Sequence, residues 1–326
     1  MDKTTIKQWE DFSSNIKNIH ILQMPAWGLL KQKFGWEVKY FVDKQAGAQI
    51  LFKKFPLNLT LAYIPKGPIG KLDHGFWERL KVYCKKNRAI FIRVEPDDWD
   101  TAEDWRKLLD LSVAGKPIQP ANTITVDISG DDEEILKNMK QKTRYNVRLA
   151  QKKDVTIELS DDIDLFYDIM VETGNRDEFG IHSLAYYQTV YDFFKKTNNV
   201  ELLIAKHKSS ALAGLMLFFN GERAWYFYGA SNNKERNRMP TYLLQYEAML
   251  IAKQRGCKTY DLWGIPDEPE EILENEFQNR SDGLWGVYRF KRGFGGEHKR
   301  SFVARDIVLN PFLYRVFRLV EKRRSL

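Results

Sequence analysis

A lysine set among aromatic residues and glycines is the first feature that could carry chemistry. In VYRFKRGFGGEHK, residues 287–299, Lys291 follows Phe290 and precedes glycines at 293, 295 and 296. Glycine lets the backbone turn sharply and approach a ligand closely. Phe290 and Phe294 would anchor the loop, and Lys291 would then hold a cation in a fixed position, where it can stabilise an oxyanion. Taken alone, the pattern is also that of a plain helix end and turn.

A second feature is a basic stretch, residues 131–155, DDEEILKNMKQKTRYNVRLAQKKDV. Four acids at its start suit the positive end of a helix, and apolar residues recur at roughly helical spacing. The cations that follow are Lys137, Lys140, Lys142, Arg144, Arg148, Lys152 and Lys153, with no acid among them. An ordinary solvated helix face is one interpretation. However, such faces usually alternate their charges, and Tyr145 and Asn146 add groups that stack and hydrogen-bond, so a polyanion is the other interpretation.

Composition narrows the class of protein. The chain has 326 residues and a net charge of +7, which favours two domains and acidic partners. Two cysteines argue against a disulfide framework and fit a reducing cytoplasm. The five histidines show no metal-ligand spacing, so we expect no metal. No apolar run is long enough to span a membrane, and the N-terminus has no apolar signal core.

The elements that must position these residues follow the same order in both halves of the chain. In the first half, WEVKYFVD, AQILFKKF and LTLAYI predict strands, followed by a helix over 73–86 and a buried strand, AIFIRVEP. In the second half, VELLIAKH, ALAGLMLFFN and RAWYFYGAS precede a helix that begins at Pro240 and a strand, KTYDLWGI. HILQ, residues 20–23, predicts a further short strand. A unit repeated at this size indicates two similar domains.

We therefore predict an α/β (α+β) fold with two domains of mixed, mostly antiparallel sheet flanked by helices. Their expected bounds are 1–142 with 305–326 for the first and 143–304 for the second. The C-terminal segment PFLYRVFRLVEKRR predicts an amphipathic helix that packs on the first domain, and a free amphipathic membrane anchor is the alternative. The element order resembles the GNAT acyltransferase fold. Neither 64–73 nor 231–240 supplies that fold's Gly-x-Gly pyrophosphate loop, which argues against coenzyme A as donor.

Several motifs resemble those of the Fem family, the aminoacyl-tRNA-dependent transferases that build peptidoglycan cross-bridges. KQKTRYNVRLAQKKDV is similar to the family segment K-x-R-Y-N-I-R-x-A-x-K-x-G-V, with Asp154 in place of Gly. The loop around Lys291 matches F-K-x-G-F-G-G without a mismatch. MPAWGLLKQKFGW resembles W-x-x-x-K-x-x-x-G-W, with Lys31 and Trp36 in place. NRMPTYLLQ resembles a helix start in which Arg238 and Tyr242 lie one turn apart.

The resemblance implies roles for these residues. Lys291 and Glu95 would be catalytic, Glu95 as base or positioner at the end of its strand. Lys31 and Arg238 would bind the phosphates of the cell-wall precursor, and an arginine at a helix start suggests a compensating anion. The binding site for this precursor would include three aromatic residues, Trp36, Tyr242 and Phe290. The contacts to tRNA would come from Lys140, Lys142, Arg144 and Arg148.

The resemblance implies an aminoacyltransferase that moves an amino acid from aminoacyl-tRNA to the stem peptide of a peptidoglycan precursor. The precursor would be nucleotide-linked or lipid-linked, and a peripheral contact with a membrane-bound lipid precursor is a further expectation. We expect a cytoplasmic monomer with no cofactor besides its co-substrate. The sequence contains no heptad pattern of the kind that forms the coiled-coil insertion of longer Fem-family members. The chain is therefore similar to the shorter members of that family. A GNAT-like N-acyltransferase with a non-tRNA donor is the alternative, and a non-catalytic RNA-binding protein is a third hypothesis.

Overall fold

The computed structural model describes residues 4–73, 75–99, 105–177 and 179–323. The chain forms two compact units. Unit 1 comprises Met1–Ala121 with Arg300–Leu326, and unit 2 comprises Asn122–Lys299. Each unit contains one mixed sheet flanked by helices, as the sequence predicts.

Unit 1 is built on a sheet whose strands follow the spatial order β1-β2-β3-β5-β14-β6, with β4 paired to β2. The strands are β1 (Glu37–Asp43), β2 (Ala46–Lys54), β3 (Thr60–Pro65), β4 (Ile69–Gly70), β5 (Ala89–Glu95), β6 (Val113–Ala114) and β14 (Arg305–Val308). The helices are α1 (Ile6–Ser14), α2 (Pro25–Lys33), α3 (Phe76–Lys86), α4 (Arg106–Leu111) and α12 (Pro311–Arg323). HILQ forms a single 3-10 turn, Ile21–Gln23, so the predicted strand there is wrong.

The core of unit 1 follows the two-residue period of β5. Ile92 and Val94 pack on the side of α3, where Phe76, Trp77 and Leu80 are buried. Phe91 points to the other face, where its ring lies 4.8 Å from that of Phe317 on α12. The C-terminal helix therefore packs on the first domain, as predicted.

Unit 2 repeats this plan with the strand order β13-β7-β12-β11-β10-β9-β8. The strands are β7 (Asn122–Asp127), β8 (Val155–Ser160), β9 (Val200–His207), β10 (Ser210–Asn220), β11 (Arg223–Ser231), β12 (Thr259–Asp261) and β13 (Glu297–Arg300). The helices are α5 (Asp132–Asn138), α6 (Gln141–Lys152), α7 (Ile163–Asp177), α8 (Leu184–Lys195), α9 (Pro240–Gln254), α10 (Glu270–Glu276) and α11 (Trp285–Lys291).

In each unit, an antiparallel run of strands leads through a helix to a parallel strand: β3-α3-β5 in unit 1 and β11-α9-β12 in unit 2. The expected boundary after residue 142 differs from the observed one. The segment 122–142 lies in unit 2, because β7 pairs with β12 and α5 buries Ile135 in the core beneath that sheet.

The basic stretch is two helices, not the single helix that its periodicity predicts. Between α5 and α6 the backbone is extended at Met139 and Lys140, with ψ angles of 152° and 148°. The amide N–H of Lys140 donates to the carbonyl oxygen of Gly293 at 2.9 Å. The guanidinium of Arg144 donates to the carbonyls of Met139 and, at 2.7 Å, Lys137. These contacts satisfy backbone groups that a continuous helix would have bonded internally.

Candidate active site

Lys291 is the last residue of α11, and its side chain enters the gap between β11 and β12. Only Arg223–Trp225 of β11 pairs with β12, and the two strands then separate. The Nζ atom of Lys291 donates to the carbonyl oxygens of Trp263, at 3.1 Å, and Gly264, at 2.8 Å, which follow β12 directly. The same atom lies 5.5 Å from the ring centroid of Tyr226 on β11. Lys291 therefore bridges the two strands where the sheet opens.

Burial governs the charge of this lysine. The side chain is buried, and desolvation lowers the pKa of Lys291 to about 7, while the carboxylate of Asp261 opposes that shift. An ammonium group has three N–H donors, and two are bonded to carbonyls. Within the described residues no third acceptor bonds to it. Near neutral pH the third position is thus either an N–H or a lone pair, and this suits a group that donates or accepts a proton.

The carboxylate of Asp261 shapes the turn that presents the two carbonyls. It accepts a hydrogen bond from the amide N–H of Trp263 at 2.7 Å and another from the hydroxyl of Thr123. Trp263 is held with φ at 59°, in the left-handed region that non-glycine residues rarely adopt. Its ring stacks on that of Phe227 at 4.1 Å. Strain of this kind persists only where the surroundings enforce it, and it is common at functional sites.

Tyr226, whose ring lies near Lys291, belongs to a hydrogen-bonded group with Gln245 and Tyr260. The hydroxyl of Tyr260 donates to Oε1 of Gln245 at 2.7 Å. Tyr226 also bonds to the side chain of Gln245, and burial raises the pKa of Tyr226 to about 12. A Cβ on Gly229 would come within 2.3 Å of the hydroxyl oxygen of Tyr226, so only glycine leaves room for that ring. The hydroxyl of Tyr226 is therefore neutral at ordinary pH, and the Nζ atom of Lys291 lies over the ring of this tyrosine.

Sequence reasoning missed Tyr226, Gln245 and Asp261. Their signals are present but weak. Gly229 interrupts the interior of β11, and a bulge at Phe227 shifts the pairing with β10 from Met216–Tyr228 to Leu217–Tyr226. Glycines and bulges inside a strand often mark the place where a ligand or another chain segment approaches.

The glycine loop serves the protein's own backbone. A Cβ on Gly293 would lie 2.2 Å from Oγ1 of Thr143, and one on Gly295 would lie 2.5 Å from the carbonyl oxygen of Asn138. Gly295 and Gly296 have positive φ angles of 80° and 88°. The sequence predicted that these glycines let the backbone approach a ligand. In the structure they instead let the loop pack against the junction between α5 and α6. The contacts of Gly293 with Lys140 and Thr143 therefore hold the end of α11, which carries Lys291, against the start of the basic helix α6.

The anchoring role of the aromatic residues is confirmed. Phe294 is fully buried, and its ring lies 4.9 Å from Phe290 and 5.9 Å from Tyr242. Tyr242 also contacts Phe290 at 5.2 Å. Tyr242 and Phe290 therefore form the packing beneath Lys291, which fixes the position of its backbone.

Arg238 does not stand one helical turn from Tyr242, so that prediction is wrong. The helix α9 begins at Pro240, and its N-cap, Met239, has a φ of 57°, which breaks the helical path from Arg238. Arg238 donates to the carboxylate of Glu235 and, at 2.7 Å, to the carbonyl oxygen of Lys153. The compensating anion that the sequence suggested is present within the chain as Glu235.

The basic helix presents cations of two kinds. Arg144 is committed to the carbonyls at the end of α5, and Lys140 lies 3.4 Å from the carboxylate of Glu274. Lys142 and Arg148 are exposed and have no ion-pair partner among the described residues. Tyr145 is also exposed and lies between them in the sequence. This exposed face of α6 has the composition of a surface for a polyanion, with an aromatic group among unpaired cations.

In unit 1 the structure brings Trp36 and Glu95 together through Tyr63. The rings of Trp36 and Tyr63 lie 6.2 Å apart, and the hydroxyl of Tyr63 donates to Oε2 of Glu95 at 2.5 Å. The other carboxylate oxygen accepts from the amide N–H groups of Ile118 and Gln119. Glu95 is buried, and burial is the main cause that raises its pKa, against these hydrogen bonds. Its contacts are those of a positioning residue that ties the loop at 118–119 to β5.

Lys31 lies on α2, with its Nζ atom 4.4 Å from the ring centroid of Trp27. The face of an indole ring attracts an ammonium group, and the apolar stem of the lysine packs against the ring. The two expected phosphate ligands, Lys31 and Arg238, belong to different units. Within the described residues, no group of three or more His, Cys, Asp and Glu side chains could hold a metal ion. No described helix is long and apolar enough to cross a membrane.

Comparison with known proteins covers nearly the whole chain. The sequence model of the FemAB family matches residues 4–107, 110–209 and 195–322. The lipid II:glycine glycyltransferase of Staphylococcus haemolyticus strain JCSC1435 is 27% identical, and the alignment covers 99% of this chain and 96% of the relative. That alignment spans 413 positions against 326 residues here, so the relative has segments that this chain lacks.

Solved structures agree on the fold. A crystal structure of FemX superposes with a TM-score of 0.84 at 24% identity, covering 97% of this chain and 99% of that one. A tandem GNAT protein from the clavulanic acid biosynthesis pathway superposes with a TM-score of 0.51 at 10% identity, covering 94% and 95%. The expected GNAT-like architecture is thus confirmed in both units.

Proposed function

The chain belongs to the FemAB family, and from that premise we propose that it transfers an amino acid from aminoacyl-tRNA to the stem peptide of a peptidoglycan precursor. The relative named above acts, by its name, on lipid II, which supports a peptidoglycan precursor as acceptor. The reaction is aminolysis of an ester, and the ester of aminoacyl-tRNA is already activated. No resident cofactor is therefore required.

The observation that carries this proposal is the position of Lys291 between β11 and β12. A neutral amine of the stem peptide attacks the ester carbonyl, a C–N bond forms, and negative charge develops on the carbonyl oxygen. The C–O bond then breaks, and the ribose oxygen of the tRNA leaves and must gain a proton. The amine nitrogen must lose one. A lysine with a pKa of about 7 can donate its third N–H to the oxyanion or to the leaving oxygen and then take the proton that the amine releases.

Two features position this group. The carbonyls of Trp263 and Gly264 orient the Nζ atom, and the aromatic packing beneath the glycine loop holds its backbone. A preorganised donor stabilises charge that appears only in the transition state, so it raises the rate rather than the affinity.

In this proposal different cations bind the two substrates. Lys142 and Arg148, on the exposed face of α6, would contact the tRNA backbone. Lys31 would bind a phosphate of the precursor. Arg238 keeps the role that the family resemblance implies only if the precursor competes with Glu235 for its guanidinium, since the two are paired in this structure.

Intact-mass spectrometry of the acceptor tests the proposal. The chain is incubated with a precursor and a pool of tRNA charged with all amino acids, and parallel samples receive ribonuclease-treated tRNA or acyl-coenzyme A. We expect the precursor to gain the mass of one or more amino acid residues with charged tRNA alone. Transfer that survives ribonuclease, or that proceeds from acyl-coenzyme A, would favour an N-acyltransferase with a different donor.

A further inference from the structure

The C-terminal helix α12 has two apolar faces, and only one of them is covered. On the inner face, Leu313, Tyr314 and Phe317 pack against the cluster around Phe91 of β5. The hydroxyl of Tyr314 donates to the buried carboxylate of Asp306 at 2.9 Å. The helix is therefore fixed to unit 1 by its own contacts and is not a free anchor.

The outer face carries large apolar side chains in water. Phe312 and Leu319 are 73% and 66% exposed, and Val316 and Val320 are each nearly half exposed. Spacings of four, three and one residues place these four on one stripe of a helix. We call this stripe, Phe312, Val316, Leu319 and Val320, the outer apolar stripe. Its size and continuity, next to a face that already packs on the core, indicate that something else covers it.

Charge identifies the chemistry of that partner. Arg315 and Lys322 are exposed on the helix, seven residues apart, and a helical wheel places both beside Leu319 at the edge of the outer apolar stripe. Neither has an ion-pair partner among the described residues. The one acid of α12, Glu321, is directed inward, because it accepts from the buried guanidinium of Arg93 at 3.0 Å. The outer face is thus apolar along one side and purely cationic along the other.

A second exposed apolar residue stands on a loop that contacts α12. Leu57 is 83% exposed and has a φ of 61°, an uncommon conformation for a large apolar residue. Arg88 donates to its carbonyl oxygen at 3.1 Å. Two residues before Leu57, the ring of Phe55 lies 5.8 Å from that of Phe317 on α12. An exposed leucine beside an arginine therefore stands on the loop that supports the helix.

We propose that α12 docks unit 1 on an anionic membrane surface, with the outer apolar stripe at the acyl boundary and Arg315 and Lys322 against lipid phosphates. Helices that lie in the interface combine an apolar stripe with flanking cations in this way, and their binding depends on anionic lipid. A second copy of the chain is a poorer occupant. A two-fold pairing of like faces would bring the cations of both copies together with no acid to neutralise them. The inference rests on α12 itself and holds whether or not the proposed transfer occurs.

Vesicle co-sedimentation of the full chain tests this proposal. We expect binding to vesicles that contain phosphatidylglycerol and little binding to pure phosphatidylcholine vesicles. The double variant Phe312→Ser/Leu319→Ser should lower the partition coefficient more than tenfold. The variant Arg315→Gln/Lys322→Gln should lower it by about fivefold for each cation. All four side chains are exposed, so the thermal midpoint should stay close to that of the wild type.

The matched control is Leu159→Ser/Val82→Ser, which removes two apolar side chains that are 57% and 49% exposed elsewhere on the chain. This control should bind as the wild type does. Equal binding by the wild type and the stripe variant, or binding that ignores lipid charge, would overturn the proposal. So would sedimentation analysis that shows a wild-type dimer and a monomeric stripe variant, because the stripe would then be a self-association surface.

Discussion

The buried lysine makes stability depend on pH in a way that Lys291→Met should remove. Lys291 has a pKa of about 7 in the folded chain, against an ordinary value of 10.5. Between these values the unfolded chain binds more protons at this site than the folded chain. The free energy of unfolding therefore rises with pH across this window. It falls progressively as the pH is lowered from 10.5 toward 7.

The size of the effect follows from linkage. Each pH unit inside the window is worth about 1.4 kcal/mol, and the effect fades near the unfolded pKa, so the wild type gains about 3.5 kcal/mol between pH 7 and pH 10. Lys291→Met keeps the length of the apolar stem and has no proton to exchange. It also leaves the carbonyls of Trp263 and Gly264 without this donor, a loss that is nearly independent of pH.

Urea unfolding followed by tryptophan fluorescence at several values between pH 7 and pH 10 measures this. The quantity of interest is the difference in unfolding free energy between the wild type and Lys291→Met, since other titrating groups are common to both. We expect this difference to grow in favour of the wild type as pH rises. A difference that stays constant over the range would mean that Lys291 keeps an ordinary pKa, and the reasoning from burial would fail.

Further predictions concern the other candidate residues. Lys142→Ala/Arg148→Ala should weaken tRNA binding and make its logarithmic salt dependence shallower by about 1.5, with precursor binding unchanged. Lys31→Ala should raise the KM for the precursor by about 10- to 100-fold, since a charge-assisted contact is worth about 1.5–3 kcal/mol, and leave kcat nearly unchanged. Glu95→Gln should lower the unfolding free energy by about 1–3 kcal/mol while kcat stays near that of the wild type, because the carboxylate binds backbone amides.

The α6 variant has a matched control, and each of the other two predictions has an outcome that would contradict it. Lys196→Ala/Lys258→Ala removes the same charge from exposed positions outside α6, and its salt dependence should match that of the wild type. If Lys142 and Arg148 behave as this control does, α6 is an ordinary solvated face. An unchanged KM in Lys31→Ala would remove that residue from the phosphate site. A large loss of kcat at unchanged stability in Glu95→Gln would instead make Glu95 catalytic.

Hydrophobic periodicity, together with proline and glycine at the ends of helices and strands, predicted most elements of the fold. The strand signals of β1, β2 and β3 and the Pro240 start of α9 are local, and the structure confirms these elements. The break between α5 and α6 could not be predicted locally. It depends on Gly293, whose carbonyl bonds to Lys140 across more than 150 residues of sequence. The domain boundary was misplaced for a related reason, since the pairing of β7 with β12 is also long-range.

The candidate site was predicted as residue types, while its electrostatics came only from the structure. Motif resemblance identified Lys291 as the residue of interest and predicted a fixed cation. Burial between β11 and β12 instead lowers its pKa from the ordinary value to about 7. Asp261 and Tyr226 carry no motif of their own, and they become neighbours of Lys291 only when the parallel strands separate. Arg238 shows the reverse case, because a left-handed Met239 undid a helical spacing that looked regular in sequence.

The central claim is that Lys291 acts on the ester of aminoacyl-tRNA, and single-turnover transfer to the precursor measures it most directly. Wild-type chain and Lys291→Met are compared at pH 7 with both substrates saturating, and the thermal midpoint and both dissociation constants are measured alongside. We predict a folded variant with unchanged affinities and a transfer rate about 10²–10³ times lower. A folded variant that transfers within a few-fold of the wild-type rate would contradict the account.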